Sequence, residues 1–159
     1  MKPIIAVVLF GLSVLVLQPQ SVLAASNIVE RSVVADFDDI IIDIENGIAN
    51  RGFVVDFKAN IGDMLTRTAD DVGSTKTVYL NAVTWQFCSA LLSRKMMEID
   101  ASNIAYCPYV VFAYETVIGA GTVVVGFLRK GGDEQDVASR QIVSEVDSHL
   151  QAIVLEATE

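Results

Sequence analysis

The chain's 159 residues include 20 acidic and 11 basic ones, a formal net charge of −9. That balance repels phosphate backbones, and its basic residues cluster no further than the dipeptides Arg94-Lys95 and Arg129-Lys130, so nucleic acid is excluded as a partner. A hydrophobic share of 52% in a chain of this length supports one domain with a proper core.

Residues 1–24 read as a signal peptide. Lys2 supplies the positive start, Ile4 to Leu17 is an uncharged and mostly apolar run, and Gln18-Pro19-Gln20 breaks it before Val22-Leu23-Ala24. The run is shorter than the roughly 20 residues a helix needs to cross a bilayer, so no stable membrane insertion is expected after cleavage. The expected location is the periplasm or the exterior. Cleavage removes Lys2 and no acidic residue, which leaves residues 25–159 more acidic by one charge.

The mature chain alternates between the periods of strand and helix. Ile28 to Ala35 is short and β-branched, a strand. Asp36 to Asn50 places Phe37, Ile40, Ile41, Ile44 and Ile48 at helical spacing, with Asp36 as N-cap and Gly52 as stop. Phe53 to Phe57 is a strand with Phe53, Val55 and Phe57 on one face. Asn60 to Asp71 reads as a short helix whose Ile61, Met64, Leu65 and Thr68 share a side, which makes Met64 a core residue. The loop from Asp70 to Ser74 ends it.

Thr77 to Thr84 reads as a strand, and Trp85 to Ile99 as a helix that carries Cys88 in its first turn. Val110 to Val117 and Thr122 to Arg129 form a hairpin around Gly119-Ala120-Gly121. After Gly131-Gly132-Asp133, residues 134–157 form a helix with Ile142, Val143, Val146, Leu150 and Ile153 along one stripe. The order β-α-β-α-β-α-β-β-α predicts an α+β fold, a single sheet with helices over one face.

Cys88, in Phe87-Cys88-Ser89, and Cys107, in Cys107-Pro108-Tyr109, are the two cysteines of the chain. Behind an export signal the pair invites a disulfide, worth roughly 3 kcal/mol for a loop of about 20 residues in the chain-entropy model. Two buried free thiols, thiol exchange and soft-metal binding are the other readings. A helix N-terminus would lower the Cys88 pKa and favour its thiolate, although the spacing is unlike that of tight exchange motifs. Cys88 and Cys107 with Met96 would suit Cu(I) better than Zn(II), since the lone histidine, His149, lies away in the tail helix. No cofactor is expected outside that copper reading.

Several pairings carry no chemistry. Asp38-Asp39 reads as helix-start charge, Asp70-Asp71 as loop solvation, and His149 as a boundary side chain on the tail helix. Arg67 either faces a cleft between helix and sheet, as a ligand-cleft residue, or pairs with Asp70 or Asp71 at the surface. No catalytic residues emerge.

Arg67-Thr68, Val72-Gly73, Phe87-Cys88-Ser89 and Cys107-Pro108-Tyr109, followed by an apolar strand ending in Tyr114-Glu115, together form a pattern. With Gly52-Phe53 and with Arg31-Ser32-Val33-Val34 leading into Phe37-Asp38-Asp39, it resembles the exported branch of the domain of unknown function 302 (DUF302) family, over about Ile28 to Arg129. The resemblance implies a small, mainly antiparallel α+β domain of TATA-binding-protein-like topology, often dimeric, and no assigned reaction. The sequence therefore leads to an exported, non-enzymatic binding or accessory domain, with a homodimer as the expected partnership. Its alternative is a thiol-redox or copper-binding protein that uses Cys88 and Cys107.

Overall fold

The computed structural model describes residues 27–131 and 136–159. The expected signal peptide at 1–24 lies outside them, as do Gly132-Asp133 and the first residues expected of the tail helix. The elements are β1 (Ile28–Val34), α1 (Phe37–Asn50), β2 (Val54–Asn60), α2 (Ile61–Arg67), β3 (Tyr79–Cys88), α3 (Ala90–Ile99), β4 (Tyr109–Thr116), β5 (Thr122–Leu128) and α4 (Val137–Glu156). The five strands form one antiparallel sheet in the order β1-β5-β4-β3-β2.

Alternation of side chains divides the sheet into two faces. Trp85 and Phe87 of β3, Val111 and Ala113 of β4, and Val123, Val125 and Phe127 of β5 point into one core. The helices close that core with Phe37, Ile40, Ile44 and Ile48 from α1, Leu92 and Met96 from α3, and Val143, Val146, Leu150 and Ile153 from α4. This is the expected α+β arrangement, with the apolar stripes of α1 and α4 buried as their spacing predicts.

Local chemistry sets the element ends. The Asp36 carboxylate accepts from the Asp38 amide and starts α1. At the other end Gly52 adopts φ +72° while the Phe53 and Gly52 amides donate to the Ile48 and Ala49 carbonyls, a Schellman cap. Asp136 caps α4 through the amides of Ala138 and Ser139.

Three expectations change. Trp85 to Cys88 belongs to β3 and not to a helix; α3 begins after Ser89, whose side chain accepts from the Leu92 amide. Strand β2 extends to Asn60 with a register shift between Val55 and Phe57, which turns Phe57 outward to 57% exposure and breaks the expected Phe53-Val55-Phe57 face. Helix α2 ends at Arg67, and Met64 and Leu65 are exposed, not core. The helix packs instead through Gly62, where an added Cβ would lie 3.0 Å from the Ala82 amide nitrogen. Ala82 is on the face opposite Trp85, so this short helix sits on the otherwise uncovered side of the sheet.

Candidate functional site

The cysteines meet because two strands end together. Phe87 pairs with Tyr109 at the end of the β3–β4 ladder; Cys88 follows Phe87, and Cys107 stands two residues before Tyr109, joined to Pro108 by a cis peptide bond. Both thiols are half-buried and free. The expected disulfide is therefore absent from the structure, although the sulfurs come from neighbouring strand ends and the Cys107 thiol lies within hydrogen-bonding reach of Cys88.

Around the thiols the structure assembles groups that sequence reasoning missed. The Ser93 hydroxyl, on the first turns of α3, is 3.1 Å from the Cys107 sulfur. Tyr109, fully buried, carries the one buried side-chain polar atom without a hydrogen-bond partner among the described residues. Ser93 and both cysteines are its polar surroundings. Lys130, half-buried after β5, faces the same cysteines and Asp147. The Asp147 carboxylate accepts from the backbone amides of Lys130 and Gly131, at 2.8 and 3.0 Å. Tyr109 was within sight as part of Cys107-Pro108-Tyr109; Lys130 and Ser93 had no signal beyond their residue types.

The electrostatics reverse the expectation for Cys88. Burial pushes its thiol up to about 12, the neighbouring Cys107 and, more weakly, Asp56 add to the rise, and the Tyr109 amide opposes it. Cys88 ends β3 just before Ser89, the N-cap of α3, so it stands outside the first turn of that helix, and desolvation is the largest influence on its thiol. Burial likewise pushes the Tyr109 phenol up to about 12. Desolvation lowers the Lys130 pKa, while the cysteines and Asp147 act to hold its proton.

Met96 is fully buried on α3, one turn from Ser93. Arg67 is exposed at the end of α2 and has no ion-pair partner among the described residues. His149 is half-buried with its ring edge-on to Phe53 at 5.5 Å, the boundary position its spacing predicts.

The uncovered face of the sheet is the second feature. Phe112 and Tyr114 stack at 6.1 Å, and Tyr79 packs on Tyr114 at 5.5 Å. With Ile28 and Thr84, and with Ile61 of α2 as a wall, these rings line a shallow hollow of about 320 Å³. One charged residue, Glu30, reaches it, and the Tyr114 hydroxyl donates to the Glu30 carboxylate at 3.4 Å.

No family model and no curated protein matches this chain. A solved structure does: an uncharacterized conserved protein, DUF302, from Bacillus stearothermophilus superposes with a TM-score of 0.70 over 84% of this chain and 99% of its own, at 16% identity. The chain has the DUF302 fold. At that identity the likeness is one of architecture, and it agrees with the fold that the Gly52-Phe53, Phe87-Cys88-Ser89 and Cys107-Pro108-Tyr109 pattern implies. Among the described residues no helix of this DUF302 fold is long and apolar enough to cross a membrane, and no three His, Cys, Asp or Glu side chains converge as metal ligands.

Proposed function

We propose that this chain is an exported member of the DUF302 family that works as a binding or accessory domain and self-associates through the uncovered face of its sheet. The observation that carries the reading is the nearly charge-free floor of that face. Val110, Phe112 and Tyr114 of β4 alternate with core residues, and Val124 of β5 stands between Ser32 and Tyr114. In a chain of net charge −9, two copies meeting on this floor keep their carboxylates apart.

The tail helix offers less, since its apolar stripe is already committed to the core. Export is supported by Lys2, the apolar run to Leu17 and the small or aliphatic residues Val22-Leu23-Ala24.

Sedimentation velocity tests the assembly. The wild-type protein is expected to sediment as a dimer, and Val124→Glu, which plants a carboxylate mid-face, as a folded monomer by circular dichroism. A wild-type monomer at the highest soluble concentration, or a Val124→Glu dimer, overturns the reading.

A further inference from the structure

We propose that Cys88 and Cys107 form a two-sulfur binding site for Cu(I). The site is independent of the sheet face and does not rest on self-association. Cys88 ends β3 and Cys107 lies two residues before β4, the two thiols are within hydrogen-bonding reach of one another, and both are half-buried and free. Soft thiolates select Cu(I), which accepts few ligands. Among the described residues no third His, Cys, Asp or Glu joins them, so the set is too small for the tetrahedral site that zinc takes.

The second shell fits a metal-bound sulfur pair. Binding replaces two thiol protons, so two RSH and Cu⁺ give [Cu(SR)₂]⁻ and two H⁺, with no change of oxidation state. Each thiolate then needs hydrogen-bond donors and the complex needs a cation. The Ser93 hydroxyl, 3.1 Å from the Cys107 sulfur, becomes a donor once that thiol has lost its proton. The buried Tyr109 hydroxyl, otherwise unpartnered, supplies another in the same surroundings. Lys130 brings one positive charge toward the sulfurs, matching the single negative charge of the complex. Asp147 beside it is already engaged by two backbone amides.

The test is anaerobic transfer of Cu(I) from a coloured Cu(I) chelator to the full chain reduced beforehand. One copper per chain is expected, with sulfur scatterers in the copper X-ray absorption spectrum. Cys88→Ser and Cys107→Ser should each abolish transfer while circular dichroism reports an intact fold. Lys130→Gln, which leaves both sulfurs in place, should bind on the order of tenfold more weakly through the lost charge contact. If the cysteine variants do not fold, Lys130→Gln and the absorption spectrum decide. Reduced wild-type protein that takes no copper, equal uptake by the double cysteine variant, or a shell of nitrogen and oxygen alone overturns the proposal. So does a protein isolated with a Cys88–Cys107 disulfide whose reduced form leaves the chelator's copper untouched.

Discussion

At Cys88, the folded environment holds the proton on sulfur, at a pKa of about 12 against an ordinary 9.0. A group whose pKa is raised by folding stabilises the fold fully below its unfolded pKa, and this contribution is lost as pH climbs through the folded value. Reduced protein should therefore lose thermal stability between about pH 9 and 12, with Cys88→Ser showing a shallower loss. Alkylation of Cys88 in the native protein should also be slower at mildly alkaline pH than in the unfolded chain. Equal rates would mean that the thiol is not desolvated as the structure shows. Gly126 makes the second residue-level case. An added Cβ would stand 2.5 Å from both the Phe112 ring and the Val29 carbonyl oxygen, and the backbone oxygen cannot swing aside. Gly126→Ala should cost about 1–3 kcal/mol in denaturant unfolding. Wild-type stability in that variant would show that β1 and β5 can separate locally.

Between elements, Asn103 ties the helical layer together. Its side-chain amide donates to the Met96 carbonyl of α3 at 2.8 Å and to the Ser139 hydroxyl of α4 at 2.9 Å, all in buried surroundings. Asn103→Ala strands both acceptors and should cost about 1–3 kcal/mol, measured as a lower denaturation midpoint. Asn103→Asp should not rescue it, because a carboxylate has no proton to donate to the carbonyl. A fully stable Asn103→Ala would mean that water replaces the amide. The β3–α3 junction shows why one boundary escaped sequence reasoning. Trp85 and Phe87 alternate with Thr84 and Gln86 at period two, and Ser89 is a good N-cap. An apolar run flowing into a helix hides that change of period, and only pairing with β4 and β2 on both sides fixes the strand to its end.

For the whole molecule, charge and apolar surface are segregated. Ion pairs such as Arg51–Glu156, which ties the end of α1 to the end of α4, and Lys58–Glu45 lie on the helical side or at the β2 edge. The hollow in the sheet floor is lined mostly by aromatic and aliphatic side chains, with Thr84 and one charged residue, Glu30. A dimer formed across that floor carries a net charge of the same sign on each copy, so added salt screens repulsion between its halves. Sedimentation at low and at physiological salt should show the dimer unchanged or tighter as salt rises. Dissociation by salt would point to polar contacts at some other surface.

The order of elements, the α1 and α4 core stripes, the Asp36 and Gly52 caps and the β4–β5 hairpin were legible because each is decided within a few residues, by side-chain period and by backbone preference. The DUF302 fold was legible from motifs spread along the chain. What lay outside local reach was anything set by contacts across the sheet: the strand identity of Trp85 to Cys88, the bulge that expels Phe57, and the exposure of Met64. The cysteine site belongs with these. Sequence named both sulfurs, yet it placed one at a helix start and expected an acidic thiol. Tertiary structure set Cys88 at a strand end with Cys107, Ser93, Tyr109 and Lys130 around it, and burial reversed the sign of the shift because desolvation depends on neighbours that the local sequence does not contain.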